Sequence, residues 1–326
     1  MRGHTSRCIR LTRRSLLGSA AAMVAGPALA QECRIGPPPH HKGPLVFMDY
    51  DQVELDASYD QAYYEPLIRQ VSQRLASNRD AVRARLGAPL RSVYGPTEIE
   101  KLDIYRTSRA RAPIFVFIHG GSWSRGSAKD AAHPAEMLVD AGAHYVAVDF
   151  ASVEDVGGDL AVMAAQVQRA IAWICRNAGT FGGDPDRLYI GGHSSGGHLC
   201  GVAPVTDWVK DFGVPATIIQ GGLCMSGMYE LAPARLSWRR TYVNFTDAMT
   251  EAMSSQRHID RLNAPIIVSY GTFETPDFQR QSREFAAAVK AAGKPVRLIK
   301  PPTMRTSKWQ KASEIHTAPM VAPRLL

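Results

Sequence analysis

The chain is expected to be α/β, with a mainly parallel central sheet covered by helices on both faces. Short, wholly apolar runs bounded by Gly or Pro alternate with longer segments of helical period, as in strands buried on two faces and joined by crossover helices. Two of those runs end directly in Gly-rich turns, where open sheets of this kind place their chemistry. No Gly/Ser linker and no internal repeat divides the 326 residues, so residues 31–326 are expected to form a single domain with a sizeable core.

The elements follow in order. Thr12-Arg13-Arg14-Ser15-Leu16-Leu17 precedes an Ala-rich apolar run ending in Ala28-Leu29-Ala30. A charged start, a short apolar middle and a small-residue cleavage site describe an export leader over residues 1–30, and the paired Arg resembles a twin-arginine signal. The expected mature protein is periplasmic and touches a membrane only through that leader. Residues 36–44 are Pro-rich and expected to be irregular. Residues 66–84 have helical period, with Ile68, Val71 and Leu75 on one face. Leu102-Asp103-Ile104-Tyr105 alternates like a strand. Residues 114–118 (IFVFI) and 145–150 (YVAVDF) are buried-strand runs, and 160–178 is an amphipathic helix. Leu188-Tyr189-Ile190, Ile218-Ile219, residues 266–268 and residues 296–299 supply further strands, with a helix over 281–292 between the last two.

Composition narrows the function classes. The chain is 45% hydrophobic and 21% charged, with a formal net charge of +8. Five Arg without an acid lie in residues 1–30, while Arg305, Lys308, Lys311 and Arg324 against Glu314 give the tail another three positive charges. The ends therefore carry the whole excess and residues 31–300 are neutral, which removes the case for a nucleic-acid partner. Cys175, Cys200 and Cys224 sit in or beside apolar patterns and are expected to be buried thiols. No His/Cys spacing suggests a metal, and no cofactor motif is present.

Two turns carry chemistry. Gly192-His193-Ser194-Ser195-Gly196 follows an apolar strand and precedes an apolar helix, the setting a nucleophile elbow requires. The tight turn lifts the Ser194 hydroxyl clear of the sheet, and the helix start presents the Ser195 N–H where an oxyanion would form. His119-Gly120-Gly121-Ser122-Trp123 follows the 114–118 strand. Its consecutive Gly residues let backbone N–H groups approach a ligand, so Gly120, Gly121 and Ser122 are candidates for the other half of an oxyanion hole. His119 is expected to orient this loop. Trp123 and Tyr229 are candidates for the substrate pocket, Trp123 having an alternative role in the core.

These motifs resemble the α/β-hydrolases of the esterase/lipase type, and within them the kynurenine formamidase (arylformamidase) branch. The HGG-x-W loop is shared with that branch, as is Gly271-Thr272-Phe273-Glu274-Thr275-Pro276-Asp277-Phe278 with the following Gln279-Arg280-Gln281-Ser282. The resemblance implies the α/β-hydrolase fold and a triad in the order Ser, acid, His. It places the acid at Glu274, with Asp277 as the alternative. It implies cleavage of small-molecule carboxylic esters or N-formyl amides through an acyl-enzyme on Ser194, without cofactor. Export favours a general carboxylesterase over a dedicated kynurenine formamidase.

The same resemblance implies a catalytic His, in a His-Phe context, just after the last strand. Residues 301–309 contain none, and the tail's only His is His316. Reading the last base of each codon from Pro302 with the first two of the next permits Asn-Tyr-Ala-His-Phe-Glu-Met-Ala-Glu-Ser-Leu-Gly-Asn-Pro-Tyr, which has the missing His-Phe. A one-base frameshift near residues 300–302 therefore accounts for the missing base and for the basic tail. The alternative function is a pseudo-hydrolase that binds small acyl or aromatic ligands.

Overall fold

The computed structural model describes residues 35–300. The leader, Cys33, the tail from residue 301 and His316 lie outside the described residues. A small antiparallel hairpin, β1 (Leu45–Phe47) and β2 (Tyr50–Asp51), opens the described chain and leads into α1 (Gln52–Ser58) and α2 (Ile68–Leu86). The sheet then takes β3 (Leu90–Val93), β4 (Lys101–Tyr105), β5 (Ala112–Ile118), β6 (His144–Val148), β7 (Gly183–His193), β8 (Gly221–Met225), β9 (Ile266–Ser269) and β10 (Val296–Ile299). Between them run α3 (Ala135–Asp140), α4 (Leu160–Asn177), α5 (Ser195–Val202), α6 (Trp208–Phe212), α7 (Ala232–Leu236), α8 (Asp247–Met253) and α9 (Pro276–Ala291).

The spatial order is β10-β9-β8-β7-β5-β6-β4-β3. β5 to β10 run parallel, while β4 is antiparallel to both β3 and β6. This is the mainly parallel sheet that the alternating pattern predicts. β5 is buried at every position because helices cover both faces. Its Ile114, Val116 and Ile118 join the larger core, and Phe115 and Phe117 the smaller core on the opposite face.

The covering helices obey the same logic. Asp159 caps α4 by accepting from the Ala161 N–H, and Leu160, Met163, Ala164, Val167, Ile171 and Ile174 bury its inner stripe. α9 starts at Thr275, whose hydroxyl accepts from the Phe278 N–H, with Pro276 in the first turn. α5 is buried at all eight residues.

Two expectations need correction. The strand expected at Ile218-Ile219 begins at Gly221; the two Ile are buried in the approach to it. Apolarity marked the approach, while Gly221 and Gly222 hid the strand itself. The helix expected over 66–84 spans 68–86, but only Val82 is fully buried. Its apolar face turns to a cavity rather than to the core.

Candidate active site

Ser194 sits between β7 and α5 with φ +57° and ψ −122°, a conformation that costs an L-residue roughly 1–3 kcal/mol and persists only where the surroundings enforce it. Here they do. The Ser194 N–H donates to the Met225 carbonyl at 2.9 Å, and the Ser194 carbonyl accepts from His198 N–H at 3.0 Å. The flanking glycines are set by contact distance. A Cβ on Gly192 would stand 2.1 Å from the Gly196 carbonyl oxygen, and one on Gly196 would stand 2.1 Å from that of Ile118. Helix α5 thus lies directly against the end of β5.

The loop after β5 closes over the same point. A Cβ on Gly120 would fall 2.6 Å from the His193 carbonyl oxygen and 3.2 Å from Ser194 Cβ. Gly121 has φ +127°, and Ser122 and Trp123 are both left-handed at +58° and +66°. Arg125 and Ser124 N–H groups donate to the Gly121 carbonyl, each at 3.1 Å, and hold this turn. His119 steadies it from behind: Nδ1–H donates to the Gly120 carbonyl at 2.9 Å, and the ring stacks on Phe150 with centroids 4.1 Å apart. Burial lowers the His119 pKa, which keeps the ring neutral in this orienting role.

The two candidate acids have different surroundings. Asp277 is committed to structure: Tyr59 O–H donates to it at 2.7 Å, Arg280 Nε at 2.8 Å and Gln281 Nε2 at 3.0 Å. Glu274 lies buried in the turn between β9 and α9. Its Oε1 accepts from the Ser226 hydroxyl at 2.6 Å and from the Gly271 N–H. Ser226, at the end of β8 with φ +54°, is tied to β9 by its N–H to the Ser269 carbonyl at 2.7 Å.

A cavity of about 950 Å³ opens in front of Ser194, Gly120, Gly121, Ser122 and Ser226. Tyr59, Phe117, Trp238, Tyr242 and Phe278 give it aromatic walls, and Ile68, Val71 and Leu75 of α2 form an apolar side. Trp123 and Tyr229 are not among its lining residues. Trp123 is in the core beside His198 and Phe245, and Tyr229 stacks on Phe285 at 4.3 Å. Each points away because its backbone turns sharply there: Trp123 is left-handed, and Tyr229 N–H is bound to Gln281 Oε1 at 2.7 Å. The aromatic wall at Trp238 and Tyr242 lies outside the motifs; its signal is the cluster Trp238-Arg239-Arg240-Thr241-Tyr242.

The histidines divide by place. His133 and His193 line the cavity, and burial pushes each to about 4. His133 and His144 are buried, His144 Nδ1 accepting from the Thr107 N–H at 3.2 Å, and His258 is half-buried. One group among the described residues, His40, Asp51 and Glu54, brings ligand-type atoms within 4.8 Å. Lys42 already pairs with its Glu54.

Comparison with known proteins agrees with this architecture. Residues 102–220 match the BD-FAE family. The kynurenine formamidase of Danio rerio is 31% identical over 257 residues, covering 74% of this chain and 84% of that protein. Its counterpart in Salmo salar is 32% identical over 61% of this chain and 67% of its own length. Esterase LipQ of Mycobacterium tuberculosis is 28% identical over 61% of this chain and 52% of its length. Among solved structures, a Silicibacter protein with a provisional thioesterase assignment superposes with TM-score 0.71 at 21% identity, covering 82% of this chain and 98% of its own. Thermogutta terrifontis esterase 2 superposes with TM-score 0.59 at 23% identity, over 74% and 97%.

Proposed function

Starting from the fact that the chain belongs to the kynurenine formamidase family of α/β-hydrolases and is a hydrolase, we propose that it cleaves carboxylic esters or N-formyl amides through an acyl-enzyme on Ser194. The observation that carries this reading is the strained Ser194 turn, with the Gly120–Ser122 loop against it at the cavity floor. A serine held at φ +57° for no chemical purpose would be a standing cost to the fold.

In this mechanism Ser194 Oγ attacks the carbonyl carbon while a His takes its proton. Backbone N–H groups of Gly121, Ser122 and Ser195 hold the oxyanion. The carboxylate of Glu274 orients the imidazole and stabilises its cation. The protonated His then releases the alcohol or amine, and water, deprotonated by the same His, frees the acyl group and Ser194. The base belongs to the segment after β10, and the frame-restored His-Phe supplies it. The leader over residues 1–30 supports export to the periplasm.

A chain whose tail offers no imidazole would retain cavity and oxyanion donors, and would bind rather than turn over. A fluorescent organophosphonate separates the two readings. Rapid labelling, abolished in Ser194→Ala, supports the hydrolase, and absence of labelling supports the binder.

A further inference from the structure

Two cysteines meet behind the Ser194 turn. Cys200 lies on α5 and Cys224 on β8, both 0% exposed, with their sulfurs 3.7 Å apart. The Cys224 S–H points to Cys200 Sγ, and the Cys200 S–H to the Leu223 carbonyl at 3.5 Å. Helix and strand come this close because glycines face the contact. A Cβ on Gly197 would stand 2.5 Å from the Met225 carbonyl oxygen. One on Gly192, which pairs with Cys224 in the sheet, would stand 3.1 Å from Cys200 Cβ. Cys175, the third cysteine among the described residues, is half-buried on α4.

A disulfide needs its sulfurs to close from 3.7 Å to about 2.05 Å, a movement that side-chain rotation and a small helix shift can supply. We propose that Cys200 and Cys224 are a disulfide-forming pair, which a low-molecular-weight disulfide oxidant converts into a covalent brace between α5 and β8. One thiolate attacks the oxidant's S–S bond and expels a thiol. The second attacks the resulting mixed disulfide at the protein sulfur and expels the other thiol, so the two protons lost by the pair end on the two thiols released. Burial raises the Cys200 thiol, so the pair rests protonated and reacts when α5 opens locally. The bond closes a loop between positions 24 apart in sequence, which lowers the entropy of the unfolded chain. It also joins the two elements that hold the strained turn, since the Ser194 N–H donates to the Met225 carbonyl of β8. The inference stands on the thiol geometry and does not depend on acyl transfer at Ser194.

Thiol mapping and melting test the inference together. The full chain is equilibrated with oxidised glutathione, or with dithiothreitol, at a urea concentration below its unfolding transition so that α5 can open. Free thiols are then alkylated in denaturant and the peptides read by mass spectrometry. The expected result after oxidation is a cross-linked peptide pair joining Cys200 to Cys224, with Cys175 still alkylated. With urea and oxidant removed, the oxidised chain should melt higher by roughly 5 °C or more, and dithiothreitol should reverse the rise. Cys200→Ala and Cys224→Ala should each abolish both the cross-link and the rise. Cys200 and Cys224 both still alkylated after equilibration, or either one bonded to Cys175 or Cys33 instead, would overturn the pairing. A cross-linked chain that melts no higher than the reduced one would overturn the brace. Because the unsubstituted chain in its two redox states decides, a cysteine variant that fails to fold does not protect the proposal.

Discussion

The Trp123 indole N–H donates to His198 Nδ1 at 3.2 Å, with the two rings edge to face at 86°. Trp123 ends the loop that closes over Ser194, and His198 belongs to the helix that begins behind it. His198 Nε2 faces the Met253 carbonyl at 2.9 Å, so Nε2 carries the proton and Nδ1 must remain bare. One neutral imidazole thus couples the loop after β5 to helix α5.

His198→Ala should lower stability by roughly 3 kcal/mol, since it leaves the Trp123 N–H and a buried carbonyl without partners beside a cavity. Its effect on hydrolysis should fall on kcat more than on KM, because loop position matters most for the developing oxyanion. Denaturant midpoints and steady-state kinetics check both; an unchanged kcat in a folded variant would separate His198 from the oxyanion loop.

Acid should destabilise the fold well before carboxylates titrate. Burial holds His133, His193 and His198 at about 4 against 6.5 in the unfolded chain. A depressed base stays neutral in the fold where the unfolded chain takes up a proton. Its contribution is complete above pH 6.5 and is lost as pH falls from 6.5 towards 4, by at most roughly 3 kcal/mol for each group. Unfolding midpoints measured across that window should drop steeply, and His198→Gln should flatten part of the drop.

Gly196→Ala should be severe for its size. The added methyl would meet the carbonyl oxygens of Ile118 and His119 at 2.1 and 2.4 Å, and backbone cannot rotate aside as a side chain can. The expected loss is roughly 3 kcal/mol or more, with activity abolished. Gly179→Ala, where nothing lies within 4 Å, is the control for melting temperature.

Glu274 and Asp277 should separate by phenotype. In the chain with the frame restored, Glu274→Gln should cut kcat by roughly 10³ to 10⁴-fold with a near-native melting temperature, as expected when the carboxylate that orients a catalytic imidazole is neutralised. Asp277→Asn should instead lower the melting temperature, because it weakens the contacts from Arg280 and Tyr59. The reverse pattern would move the acid to Asp277.

The parts of this architecture that were legible in the sequence are those where one physical demand dominates. The 114–118 and 266–268 runs announce buried strands because only apolar residues survive between two helical layers. The glycines at 120, 192 and 196 announce close backbone approach. Pocket-forming side chains were less legible, because a cavity wall uses the same residue types as a core. Trp123 and Tyr229 turned inward, whereas Trp238 and Tyr242, from a segment without a motif, turned to the cavity. The helix at 68–86 shows the same ambiguity: its apolar stripe was read from spacing, but spacing does not say whether core or cavity faces it.

The most direct test of acyl transfer by Ser194 is the initial rate of p-nitrophenyl acetate hydrolysis by three proteins: the chain with its present tail, the chain with the frame restored after Lys300, and the restored chain with Ser194→Ala. The account predicts rapid hydrolysis by the restored chain, a rate lower by several orders of magnitude with the present tail, and none above background without Ser194. Hydrolysis that survives Ser194→Ala would contradict the acyl-enzyme, and equal rates with both tails would contradict the assignment of the base to the restored His.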